Sequence, residues 1–214
     1  MIPNKDKTGF TPSSESGYTI LEGLMAVIVV SVMLLAIGPV IAFSVGTRVQ
    51  AKRVELATQA GKGYIDWVKA ASDPNAIKER APKQTAITAP ATGDLTSDCT
   101  SKDGYCTTTD KKLYCVNLDE TAGCQTNSPV DMVVQPIITK VTDATKPENG
   151  YGMQVRVYRA NSFAPGVTLQ SPTKSDSLTT NALGNRGLPL VMMKTEVLPS
   201  GATFENLQER LKLP

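Results

Sequence analysis

The stretch GLMAVIVVSVMLLAIGPVIAFSVGT, residues 23–47, governs how this chain is read: its 25 residues carry no charge and lie between Glu22 and Arg48. As an α-helix rising about 1.5 Å per residue it would reach about 37 Å. A bilayer's hydrocarbon core is about 30 Å thick. A buried helix of a soluble domain normally keeps a polar face, and the apolar part of a secretory signal normally spans about 7–15 residues. Neither description fits, so a transmembrane helix is predicted. Within it, Gly38 and Pro39 mark a predicted helix break. Pro39 has no N–H to donate, and its ring clashes with the carbonyl of Leu35 four residues back.

Both flanks of this segment are informative. Ahead of it stands MIPNKDKTGFTPSSESG, residues 1–17, a polar leader with Lys5 and Lys7 that ends in Gly17. Cleavage after Gly17 would remove the polar leader and leave the whole apolar helix on the mature chain, the reverse of secretory processing. Glycine at the scissile position lets a protease approach the backbone closely. On the lip of the apolar run sits Glu22. A carboxylate inside hydrocarbon costs about 2.5–3.5 kcal/mol on insertion scales, so it needs a partner or a role.

The run Gly17-Tyr18-Thr19-Ile20-Leu21-Glu22, followed by the apolar stretch, resembles the class III signal of type IV prepilins and type II secretion pseudopilins. Tyr18 stands where Phe or Met is more usual, and Glu15 and Ser16 replace the usual Lys or Arg. The resemblance implies that a prepilin peptidase cuts between Gly17 and Tyr18, that the new amine of Tyr18 is N-methylated, and that Glu22 is the assembly carboxylate. The protonated amine of one subunit would then lie against Glu22 of a neighbour. Mutual compensation of two buried charges selects an axial register more than it adds stability. The resemblance also implies local unwinding near Pro39 on polymerisation. Across more of the chain, SESGYTILEGLMAVIVV, RVQAKRVELATQAGKGYID, LTSDCTSKDGYC, LYCVNLD and LGNRGLPLV are similar to the hormogonium polysaccharide secretion pseudopilins, a branch tied to gliding filaments and slime export.

Beyond Arg48, the apolar residues Val49, Leu56, Ala60, Tyr64, Val68 and Ala71 recur at helical steps, predicting an amphipathic continuation that packs on a sheet. Arg48, Lys52, Arg53, Glu55 and Lys62 form its polar face. Ser72, Asp73 and Pro74 break that helix, and residues 73–111 read as a long surface connection. Four strand-like runs follow, at 112–118, 131–141, 151–159 and 190–198. In the third, Met153, Val155 and Val157 alternate with Gln154, Arg156 and Tyr158, which predicts a sheet with one solvated face. The fourth alternates in the same way. Residues 160–187 read as a polar loop, and FENLQERL, 204–211, as a short helical turn. Strands bunched behind one helix indicate an α+β fold, a long N-terminal helix packed on an antiparallel sheet, which the resemblance makes pilin-like. The expected organisation is a leader at 1–17, a transmembrane and assembly helix at 18–47, its amphipathic half at 48–72 and an extracytoplasmic head at 73–214.

Four cysteines, Cys99, Cys106, Cys115 and Cys124, cluster without the close pair of a zinc knuckle. They are read as two disulfides in the region 99–124, with all three pairings open, and they place the head outside the cytoplasm. With 22 basic against 20 acidic residues the charge is too balanced for a phosphate-backbone stripe, so no nucleic-acid partner is expected. Histidine is absent. There is no G-x-S-x-G or Walker A pattern, and the glycines at 61 and 63 follow no strand, so no dinucleotide fingerprint is present. The expectation is a non-enzymatic protein without cofactor, metal site or catalytic residues.

The function expected is that of a minor pilin or pseudopilin, a structural subunit of a filament that serves polysaccharide secretion or gliding motility. Its partners would be the prepilin peptidase, other pilins or pseudopilins, the inner-membrane assembly platform and, before assembly, membrane lipid. The leader would face the cytoplasm and the head the periplasm, with the head exported in the filament. Flanking charge alone leaves this orientation open, because Arg48, Lys52 and Arg53 rival Lys5 and Lys7. The alternative is a single-pass, signal-anchored protein whose exported head binds a ligand and never polymerises.

Overall fold

A computed structural model of the chain describes residues 20–95, 99, 103–106, 110–143, 145–172 and 185–212. The expectations placed on Gly17 and Tyr18 lie outside these residues. The chain falls into two compact units, one ending at Val45 and the other beginning at Gly46. Helix α1, Ile20–Lys69, runs through both.

In the first unit α1 carries the apolar run. Its helix continues through Gly38 and Pro39 without interruption, so the predicted break is absent. One proline removes one backbone hydrogen bond, and intact turns on both sides suffice to hold the helix.

In the second unit the helix α2, Pro74–Arg80, precedes five strands: β1 Asp103–Tyr105, β2 Tyr114–Val116, β3 Met132–Lys140, β4 Tyr151–Arg159 and β5 Val191–Val197. Helix α3, Phe204–Leu211, comes last. The strands lie in sequence order, and every neighbouring pair is antiparallel. The architecture is therefore α+β, a long N-terminal helix with a five-stranded antiparallel sheet.

One face of the sheet is covered by the later turns of α1. Ala57, Ala60, Tyr64, Ile65 and Val68 are buried against Met132, Val134, Met153, Val155 and Val157. Gly61 allows the closest approach: a Cβ there would meet Met193 Cε at 2.8 Å and Val157 Cγ2 at 3.1 Å. At the far end of the helix, Lys69 Nζ donates to Thr195 Oγ1 at 2.8 Å, and Thr195 pairs with Met153. Helix and β4 thus run in opposite senses. The buried stripe begins later than predicted, since Val49 is 45% exposed and Leu56 only partly buried. Gly61 already lies against Val157, near the end of β4, so the turns ahead of Ala57 run past the strand's end.

The other face corrects the sequence reading. All nine residues of β4 are buried, including Gln154, Arg156 and Tyr158 on the face expected to be solvated. What covers it is the segment read as a surface connection, together with the first part of the loop read at 160–187. Arg156 Nη1 donates to the carbonyl of Ile87 at 3.1 Å and Gln135 Nε2 to that of Thr88 at 2.9 Å, while Tyr158 Oη donates to Gln170 O at 3.0 Å. An irregular segment lying on a sheet leaves carbonyls without strand partners, and polar side chains from the sheet satisfy them. A second apolar cluster forms there from Leu95, Leu113, Val133, Phe163 and Leu169 with the cysteines.

Residues 73–111 are also more structured than predicted. The Asp73 carboxylate accepts the N–H groups of Asn75 and Ala76 at 3.0 and 2.9 Å, with Pro74 in the first turn. The residues that end α1 therefore begin α2, as an N-cap and an N1 proline do. Strand β1 lies in the same stretch. Residues 131–141, 151–159 and 190–198 form β3, β4 and β5 nearly as read, and 204–211 forms α3.

Candidate functional site

The first candidate is the surface of α1 in the first unit. Every described residue from Ile20 to Val45 is exposed, with Ile20 93%, Leu35 76% and Val40 67% accessible. The helix is long and apolar enough to cross a membrane, and its most apolar stretch has nothing buried. An apolar surface of this extent is unfavourable in water and marks contact with lipid or protein. Glu22 sits in the first helical turn, exposed. A carboxylate there also complements the positive end of the helix dipole, worth about 0.3–1 kcal/mol.

The second candidate is the head. Its cysteines pair as Cys99–Cys106 and Cys115–Cys124, which closes the choice left open by the spacing. Cys115 lies in β2. Cys106 follows β1 directly, and its N–H donates to the carbonyl of Leu113 at 2.8 Å. Both bridges therefore fasten loops to the short strands β1 and β2. Two disulfides fit an extracytoplasmic head.

Tyr64 and Trp67 of α1 meet Tyr105 of β1 and Tyr114 of β2, with ring centroids 5.0–6.2 Å apart. The hydroxyls of Tyr64 and Tyr105 are 2.6 Å apart, and Tyr105 Oη donates to the carbonyl of Arg80 at 2.7 Å. That order leaves Tyr64 as the donor between the two tyrosines. Burial, reinforced by the charge of neighbouring Tyr105, holds the Tyr64 hydroxyl well above the ordinary tyrosine range. Above this cluster the guanidinium of Arg80 lies 5.1 Å from the Trp67 ring centre. Tyr64 was read from the sequence as part of the helix's apolar stripe and Tyr114 as part of a strand-like run, but Trp67 was not singled out and β1, which carries Tyr105, was not recognised as a strand.

Beside these rings a groove of about 290 Å³ is lined by Gln59, Gly63, Trp67, Asp103, Val116 and Leu118 among others. A second, of about 540 Å³, runs over Ile87, Thr139, Gln154, Lys194 and Glu196. Among the described residues no three His, Cys, Asp or Glu side chains gather to hold a metal ion. The grooves offer contact surface with scattered polar groups.

No family model, no curated protein and no solved structure matches the chain.

Proposed function

We propose that this chain is a minor pilin or pseudopilin, a subunit of a type IV pilus-like or type II secretion-like filament in polysaccharide secretion or gliding motility. The observation that carries this reading is the wholly exposed apolar helix from Ile20 to Val45, introduced by GYTILE and continuing in the chain into a buried stripe on an antiparallel sheet. A surface of that kind needs a non-aqueous environment. Membrane lipid supplies it before assembly, and the helices of neighbouring subunits supply it afterwards.

On this reading the leader is cytoplasmic and the head, with its disulfides, periplasmic. The peptidase cuts after Gly17, Tyr18 becomes a methylated amine, and Glu22 of an adjacent subunit receives it. Pairing the two charges makes a wrong axial offset costly, since both ions would be left buried and alone. Unwinding at Gly38 and Pro39 belongs to the assembled state, because the helix of the single chain is continuous there. The head's grooves favour the competing reading, an anchored ligand-binding protein that does not polymerise.

One experiment separates the two. In a host with the peptidase, wild type and Glu22→Ala are compared by the mass of the membrane-extracted chain and by their amounts in sheared filaments. The proposal expects both to begin at methylated Tyr18, with the variant missing from filaments. A chain that starts at Met1, or a variant that enters filaments as well as wild type, overturns it.

A further inference from the structure

Three arginines gather at one end of the sheet, away from both grooves. Arg159 closes β4; it pairs with Met132 and stands two residues after Val157, on the same side of the strand, so its side chain leaves the sheet on the face that α1 covers. Arg53 lies one turn ahead of Ala57, where the helix's buried stripe begins. Arg186 stands just ahead of Leu190, whose N–H donates to the carbonyl of Val157 at 2.7 Å, so the chain entering β5 reaches the same strand end. Burial first, then the charges of Arg53 and Arg186, lower the basicity of Arg159.

Arg159 is only 3% exposed, and its Nε and Nη2 find no hydrogen-bond partner. Among the described residues no ion pair involves any of the three. A buried guanidinium in like-charged company is costly unless a counter-charge completes it. Its two unpaired groups are also informative, because Nε–H and Nη2–H point along one edge of the guanidinium plane. That edge is the fork that takes two oxygens of one oxyanion.

The geometry points to a phosphate-binding site with Arg159 as its floor and Arg53 and Arg186 on its rim. A phosphate group can engage the fork with two oxygens and offer a third to the rim, which a carboxylate cannot do. Two sources carry this chemistry, free phosphate and a phospholipid headgroup. The second has support in the chain: Arg53 follows Thr47, the end of the uncharged run, by about 9 Å of helix. With that run in a bilayer, such a distance corresponds to the headgroup layer and its edge. The site does not depend on whether the protein polymerises.

The test uses the full chain in maltoside micelles, which contain no phosphate. Inorganic phosphate is titrated, with chloride at equal ionic strength as the control, and the unfolding midpoint is followed through Trp67 fluorescence. In a parallel arm, micelles doped with phosphatidylglycerol are compared with micelles doped with an uncharged galactolipid. Ligand that binds the folded state raises the midpoint. A rise with inorganic phosphate assigns the free ion, and a rise with phosphatidylglycerol alone assigns the headgroup. Arg53→Gln and Arg186→Gln should each weaken the apparent affinity about tenfold, the loss of one charge-assisted contact. Arg159→Met should fold and lose the response; if it does not fold, the rim variants decide. No rise in either arm, or an undiminished rise in the Arg53→Gln/Arg186→Gln double variant, overturns the site.

Discussion

At the scale of single residues, the helix–sheet contact depends on a missing side chain. Gly61 faces Met193 and Val157, whereas Gly63, two residues on, has nothing within 4 Å of where its Cβ would be. In the sequence the two glycines look alike, and both only weaken a helix. Their environments separate them. Gly61→Leu should destabilise the second unit by about 1–3 kcal/mol, because Val157 is stiff and Met193 can yield only in part. Gly63→Ala should stabilise it by about 0.5–1 kcal/mol through helix propensity alone. Thermal unfolding of the two variants beside wild type checks both signs, and equal effects would mean that the helix does not lie on the sheet as described. The buried polar residues teach the same lesson. Gln135 and Arg156 look like the wet face of a strand, and only the carbonyls of Ile87 and Thr88 reveal why they are inside.

At the scale of elements, periodicity predicted most of what formed. The three longest strands are regular enough for alternation to show, and α1 and α3 carry helical patterns. The short strands β1 and β2 hold three residues each, too few for a period to register. They persist because the disulfides and the aromatic contacts to α1 hold them in place. The Cys115–Cys124 bridge closes a loop with a sequence separation of 9. Chain entropy for a loop of that length is worth about 2.5 kcal/mol. Replacing both cysteines by Ala should therefore lower the melting temperature of the second unit by about 5–10 °C. A melt in oxidising buffer measures this, and reducing the wild type should give a drop at least as large, since both bridges then open. An unchanged melt would show that β2 is held by packing alone.

At the scale of the whole molecule, five tyrosines tie the head together and share one electrostatic direction. Burial is the first cause in each of Tyr64, Tyr105, Tyr114, Tyr151 and Tyr158, raising the hydroxyl above its ordinary value; Tyr158 is pushed up to about 12. In the unfolded chain these groups lose their protons near pH 10. Above that pH the unfolded state binds fewer protons than the folded one, so stability falls as pH rises. The contribution is complete below about pH 10 and, for Tyr158, is lost as pH passes through about 12. Urea unfolding at about pH 8, 9 and 11 should show stability level between the first two and lower at the third, with tyrosinate absorbance appearing together with unfolding. Tyrosinate from more than one of the chain's six tyrosines well before unfolding would show that the five rings are not enclosed. Composition and order along the chain were enough to determine the apolar helix, the disulfide-bearing region, the α+β class and the long strands, because each depends on runs and periods that neighbouring residues share. The tertiary structure alone decided which cysteines pair, which glycine is crowded, that the second face of the sheet is covered, and that Arg159 is buried within reach of the charges of Arg53 and Arg186. Those outcomes depend on what lies across the fold from a residue, and no local pattern encodes that.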